Sequence, residues 1–292
     1  MKRSSNINRI KKLKQSIAFN VFRCISFLIV AILFIILAFI AVKGFSSLSW
    51  EFLTDMPEDG MTKGGIYPAV IGTLCLVAGS MIFAFPIGVL SGIYINEYAR
   101  DGVFKRLIKL MTNNLAGIPS IVFGLFGMAF FVKGLEFGDS ILAGSLTLGL
   151  LALPVVIRTT EEALKSVDDS FRQGSYALGA SEIQTIYRVT LPIALPKIIT
   201  GLILSIGRVS GETAPILFTV AAYFLPRLPH SIFDQVMALP YHLYVITTSG
   251  TNIEDSRPLA YGTALVLILI VLIVNLLANG LRRYFGNKVK MN

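Results

Sequence analysis

Long uncharged stretches alternate with short basic ones along this chain, and no other property restricts its fold as strongly. Gly64 to Asn96 holds no charged residue, and neither does Cys24 to Val42. At a rise of about 1.5 Å per residue, a helix of roughly 20 apolar residues crosses a hydrocarbon layer of about 30 Å. Four further apolar runs follow, at Leu110–Val132, Ser140–Ile157, Ile198–Phe224 and Pro258–Leu281. The pattern predicts an all-α integral membrane protein with six transmembrane helices. Hydrophobic residues make up 54% of the chain and the mean hydropathy is +0.71, far from the balance of a water-soluble domain. Nothing between the runs is long enough to fold alone, a threshold near about 40 residues.

The net charge of +9 is placed as a membrane protein places it. Lys and Arg number 20 in the first, third, fifth and last polar segments, against five in the segments between them. That asymmetry predicts that both termini and alternate loops are cytoplasmic. It excludes a nucleic-acid surface, because the basic residues are spread along one side of the membrane. Residues 1–23 then form a basic anchor near anionic headgroups. The apolar run at 24–42 exceeds the roughly 7–15 residues of a signal-peptide core, so it is expected to remain as the first span. Arg282, Arg283, Lys288 and Lys290 hold the tail, 285–292, on the same side.

Along the chain, Trp50 and Phe52 are expected at headgroup level. The run from Gly64 is longer than one crossing, with a kink at Pro86 and a small face at Gly88 and Gly92. In the third run Gly117, Ser120, Gly124 and Gly127 share one helix face, and Ile118-Pro119 is expected to bend the span. Residues 225–257 read either as an interfacial helix or as a docking surface. Cys24 and Cys75 read as small helix residues, and His230 and His242 as ordinary loop residues, so no disulfide or metal site is expected.

The segment from Thr159 to Pro196 is polar yet periodic. Ala180, Ile183, Ile186 and Val189 recur every three residues and predict a narrow apolar stripe. Gly179 suits a turn between two short helices. Pro192 and Pro196 are expected to end the helical run. The segment reads as a folded platform that another protein touches.

The fifth run carries Arg208 and Glu212. A charge at mid-bilayer costs about 2.5–3.5 kcal/mol, so such residues face a pathway or a partner. Their spacing also permits a closed ion pair that only fixes packing.

The platform resembles the cytoplasmic loop of ABC-importer permeases. Gly179, Val189, Leu191 and Pro192 stand at the places of that family's pattern, while its Glu-Ala-Ala triplet is replaced by Gln173-Gly174-Ser175. The runs SYALGASEIQTIYRVTLPIALPKIITG, GRVSGETAPILFT, GGIYPAVIGT and AGIPSIVFGLFG are similar to those of phosphate-importer permeases, over most of the chain after the first span. The resemblance implies a type I ABC importer permease fold, with a permease domain over 64–284 and a coupling loop at 159–196. It implies a permease subunit of an ATP-driven phosphate importer, of the A type rather than the C type. The implied coupling residues are Gln173, Gly174, Ser175, Gly179, Ala180, Val189, Leu191 and Pro192; Arg208 and Glu212 are the implied pathway residues. The implied partners are a second permease subunit of the PstC type, two ATPase subunits that use ATP and Mg, and an external phosphate-binding protein, in a bacterial inner membrane. No cofactor is expected on the chain itself. Permeases for molybdate or sulfate, and an ion-coupled secondary transporter built on Arg208–Glu212, are the competing readings. The sequence has no G-x-x-x-x-G-K-[ST] loop, no H-E-x-x-H and no G-x-S-x-G, so it is not expected to be an enzyme.

Overall fold

The computed structural model describes residues 2–249 and 253–291. Among them, the only sheet is a hairpin of β1 (Pro57–Glu58) and β2 (Lys63–Gly64); the rest is helix and connection. The helices are α1 (Lys2–Phe45), α2 (Trp50–Thr54), α3 (Tyr67–Ile93), α4 (Val103–Ala116), α5 (Ser120–Gly127), α6 (Ile141–Lys165), α7 (Asp169–Ala177), α8 (Glu182–Thr185), α9 (Leu191–Ser210), α10 (Ala214–Leu217), α11 (Leu239–Thr248) and α12 (Ile253–Met291). Single π turns extend α3 through Tyr94–Tyr98, extend α5 through Met128–Gly134, and join α8 to α9 through Ile186–Thr190.

Five stretches are long and apolar enough to cross a membrane: Lys14–Phe45, Tyr67–Tyr98, Ile141–Lys165, Glu182–Ser210 and Ser256–Gly286. The pair α4 and α5 supplies a sixth if its two arms are counted together. The protein is therefore a multi-pass membrane protein.

Contacts between helix ends fix the directions. A Cβ on Gly44, at the end of α1, would meet the Tyr261 carbonyl near the start of α12. At the other end of α12, Gly286 lies beside Pro196, near the start of α9. Both terminal helices thus begin or finish on the side that carries the segment 166–190. This agrees with the alternation of basic loops.

The centre of the molecule is the pair α3 and α6. It is close-packed because glycines replace side chains at the crossing. A Cβ on Gly88 would stand 2.6 Å from Val156, and one on Gly92 would stand 2.7 Å from Thr160. Gly79 receives Ser145 in the same way, and Gly149 of α6 receives Phe83. Small residues let membrane helices approach where no hydrophobic force drives them together. The small face expected at Gly88 and Gly92 is this contact.

Several expectations need correction. The third run bends at Ile118-Pro119 as expected, but far more sharply than a kink: α4 and α5 meet at 101° across Gly117-Ile118-Pro119. Pro119 has no amide hydrogen and forces its predecessor out of the helical region, so the helix stops and restarts. Gly117 lies in that break, off the shared face, while Gly124 packs on Ala214-Pro215 and Gly127 on Thr147. Helix α6 runs eight residues beyond Ile157, to Lys165, so the platform proper begins near Ser166. Phe52 is inside the protein, 5% exposed against Gly262, and only Trp50 faces outward, at 79%. Residues 225–249 do not form a simple outer loop. Leu239, Pro240, His242, Val245 and Ile246 of α11 are buried, and residues 250–252 of that loop lie outside the described residues. His242 is 3% exposed, with its Nδ1 3.5 Å from the Thr263 hydroxyl. Burial pushes its imidazole down to about 4.

Candidate functional site

Two interruptions of helix carry the candidate residues. The first is the turn between α7 and α8. Asp168 caps α7 by accepting from the Ser170 amide at 2.8 Å, and the Ser170 hydroxyl, followed by this amide, holds its carboxyl below the usual range. At the far end Gly179 adopts φ +81°, a conformation that disfavours any side chain. Its amide donates to the Tyr176 carbonyl at 2.9 Å, and the Ala180 amide donates to Ser175 at 3.2 Å. This double bond pattern is a Schellman closure. Ser181 and Gln184 then form a capping box that starts α8. The Ser175 and Thr185 hydroxyls, 2.8 Å apart, tie the two short helices together.

The apolar stripe is only partly as expected. Ile186 is buried and Ala180 and Val189 are half-buried, but Ile183 is 69% exposed. Leu178 at the tip is 90% exposed and Tyr187 is 72% exposed. Gln173 and Gly174 are exposed on α7, and no atom outside the turn comes within 4 Å of a Cβ added to Gly174 or Gly179. With Leu178, Ile183 and Tyr187 exposed, the tip presents an apolar knob, and no described residue crowds its glycines.

Pro192 and Pro196 do not end the helix. Leu191 and Pro192 open α9, and Pro196 lies within it. The π turn absorbs the irregularity, since the Leu191 amide reaches back five residues to the Ile186 carbonyl.

One anchoring residue gave no sign in the sequence analysis. Arg172 of α7 makes two hydrogen bonds to Glu97, at 2.9 Å and 3.3 Å, and also donates to the Leu164 and Val167 carbonyls. Its charge is favoured further by this pairing. The clamp ties the platform to the π turn at the end of α3. The available signal was that Glu97 is the first charge after the uncharged run.

The second interruption is the end of α9. The helix stops at Ser210, well short of the expected Phe224. Gly211 to Thr213 is non-helical, and Pro215 is the second residue of the short α10. Arg208 stands in the last turn of α9, where a cation complements the partial negative charge of a helix C-terminus. Glu212 lies just beyond. The Arg208 Nε and the Glu212 Oε1 are 3.6 Å apart, an ion pair that stops short of a hydrogen bond. Their side chains are 36% and 18% exposed. A Cβ added to Gly207 would stand 3.8 Å from the side-chain nitrogen of Asn275 in α12. The side-chain oxygens of Asn275 and Asn279 are enclosed and have no hydrogen-bond partner. Two Asn four residues apart in an apolar run, NLLAN, were the overlooked signal. Non-helical backbone at membrane depth is tolerated where protein or a water-filled cavity covers it. Arg208, Glu212 and the unpartnered oxygen of Asn275 place polar groups along this part of an otherwise apolar run.

An interrupted helix bearing charge, together with a knob on one membrane face, describes a transport subunit. The chain belongs to the binding-protein-dependent transport system inner membrane component family, which matches residues 84–291. It is 34% identical to the probable ABC transporter permease protein YqgI of Bacillus subtilis, over 97% of this chain and 99% of that one. It is 39% identical to the phosphate transport system permease protein PstA of Mycobacterium leprae, over 93% and 90% of the two chains. Among solved structures, an inward-facing MetNI methionine ABC transporter shares the fold, with a TM-score of 0.60 at 18% identity, covering 75% of this chain and 97% of that one.

Proposed function

We propose that this chain is the A-type permease subunit of an ATP-driven phosphate importer. The observation that carries the proposal is the similarity to phosphate transport permeases, 39% identical for the Mycobacterium leprae protein and 41% for the PstA 1 of Mycobacterium tuberculosis strain H37Rv over 75% of this chain. The geometry gives the likeness physical content. A fixed guanidinium offsets part of the cost of moving an anion through a low-dielectric layer, and its planar fork matches oxyanion oxygens. Glu212 orients Arg208 and offsets its charge between substrates. The platform knob docks into a groove of an ATPase subunit, in the manner of helix-in-groove recognition. Gln173, Gly174, Ser175, Gly179 and Ala180 form that surface, and Val189, Leu191 and Pro192 carry its motion into α9.

The complete transporter then contains a PstC-type permease subunit, two ATPase subunits that consume ATP with Mg, and an external phosphate-binding protein. The platform side is cytoplasmic, with both termini, in a bacterial inner membrane. The test is reconstitution of the complex with purified binding proteins. Stimulation of ATP hydrolysis and uptake by the phosphate-loaded protein is the expected result. Stimulation by a molybdate- or sulfate-loaded protein alone refutes the substrate. A cytoplasm-dependent reporter fused within 165–175 should be active, and one fused after Asp59 should be silent.

A further inference from the structure

The two cavities beside α4 share a wall and differ in chemistry. The first, about 200 Å³, is lined by Lys109, Arg158, Glu161 and Lys165 with Ile157 and Thr112. The second, about 360 Å³, is lined almost wholly by apolar side chains, among them Leu115, Val122, Phe126, Leu150 and Leu153, again with Ile157 and Thr112. Two residues common to both linings set the cavities side by side, a polar head against an apolar slot along one groove-like face. The slot rises along α6 from Ile157 to Leu150, about 10 Å at helical rise.

The head is built around one carboxylate. Glu161 is 8% exposed, and its Oε1 lies 2.6 Å from the Nζ of both Lys109 and Lys165. A single negative charge holds two ammonium groups together. Each ammonium has three donors, and both are held to Glu161 Oε1 as ion pairs whose geometry falls short of a hydrogen bond. Arg158 and Glu162, paired at 3.3 Å, add no net charge. The head therefore carries one uncompensated positive charge with free donors, which an anion would complete.

The position selects the anion. The break at Gly117-Ile118-Pro119 turns α4 away from α5 by 101°. No residue of α4 is buried, and its Lys105, Arg106 and Lys109 alternate with apolar residues. A helix of this composition lies in a membrane interface with its cations at headgroup level. The head sits at that level and the slot opens into the acyl layer below. A free phosphate ion would fill only the head and leave the slot empty.

We propose that this groove binds one anionic phospholipid, with its phosphodiester against Lys109 and Lys165 and an acyl chain between α4, α5 and α6. The lipid would brace the right-angled break that the protein itself leaves open on one side.

The test uses the assembled transporter. The two native cysteines are replaced (Cys24→Ser, Cys75→Ala), and Met111→Cys, an exposed position outside the groove lining, carries a fluorophore. Vesicles contain phosphatidylglycerol or phosphatidylcholine spin-labelled high on the acyl chain. Phosphatidylglycerol should reach half-maximal quenching at a mole fraction about tenfold lower than phosphatidylcholine, given what two basic side chains contribute at an anionic interface. Lys165→Gln, which leaves Glu161 paired with Lys109, should reduce that preference to about twofold. Unchanged quenching by phosphatidylcholine in that variant would show that the slot is intact. Leu153→Trp, which fills the slot, should abolish saturable quenching by both lipids. Equal quenching by the two lipids in the wild-type groove overturns the proposal. So does reversal by millimolar inorganic phosphate, which would make the head a free-anion site. Absence of quenching overturns it too, since a partner protein would then cover the slot.

Discussion

The platform turn and the end of α9 are both places where a helix stops, and they stop in opposite ways. At Gly179 the chain folds back on its own backbone: a Schellman closure on one side and a capping box on the other. At Ser210 the helix ends beside a loose ion pair, one turn past Gly207, where Asn275 of α12 carries an enclosed carboxamide oxygen that lacks a partner. A closed interruption resists deformation and suits force transmission. An open one has polar capacity left for a passing ion. The two breaks differ in the way that the proposed coupling and pathway roles would require.

The largest effect is expected at the open break. Arg208→Gln should leave assembly and basal ATP hydrolysis intact and reduce phosphate uptake by about 100-fold, as loss of a charge-assisted contact worth about 3 kcal/mol would. Arg208→Lys should recover part of the activity, and Glu212→Gln should be milder. Uptake and complex yield are measured together. Wild-type uptake by Arg208→Gln, or loss of the complex, would erase the contrast between the two breaks.

The closed break should fail differently. Gly179→Pro removes the amide that bonds Tyr176 and cannot adopt a positive φ. Uptake per ATP hydrolysed should fall, with the protein still inserted, because the rigid alignment of the turn is lost. Ala180→Asp should act in the same direction. Full transport by both at normal expression would remove the docking role.

A smaller, energetic effect is expected at the Arg172–Glu97 clamp, whose side chains are 14% and 8% exposed. Removal of one partner leaves a largely buried charge, so Arg172→Met should cost about 3 kcal/mol. The double variant with Glu97→Gln should recover most of that cost. Thermal midpoints of the purified chain measure the cycle, and additive losses would show that the two residues are not coupled.

The smallest effect concerns His242, far from both breaks. Its pKa is about 4 when folded, against about 6.5 for a free imidazole. The unfolded chain then binds more protons between those values, so stability falls as pH drops from about 6.5 to about 4, by up to about 3 kcal/mol. His242→Gln should flatten this slope. An identical slope in both proteins would place the acid sensitivity elsewhere.

The sequence made the spans legible where a single physical rule dominated. Gly88 and Gly92 announced a close helix contact, and Gly179 a left-handed turn, because in each case only glycine meets the requirement. Prolines were less reliable guides. Ile118-Pro119 produced a right-angled break where a bend was expected, and Pro192 an uninterrupted passage where a stop was expected. The outcome depends on whether a neighbouring π turn or a partner helix absorbs the missing hydrogen bond, and neither is visible locally. Hydropathy carried the fifth span through to Phe224 because α10 and the strand-like residues after it are as apolar as a helix. Arg208 and Glu212 were recognisable as charges out of place, whereas Arg172 and Glu97 looked like ordinary loop charges 75 residues apart.

The glycine contacts between α3 and α6 have a consequence for movement. Each notch admits one particular side chain, so sliding α3 along α6 by a single residue would drive Val156 and Thr160 into helix backbone. Tilting the helices apart would forfeit all four contacts at once. The pair therefore travels as one rigid beam during any transport cycle, and hinging is left to the connections outside it, at Gly117-Ile118-Pro119 and Gly211 to Thr213.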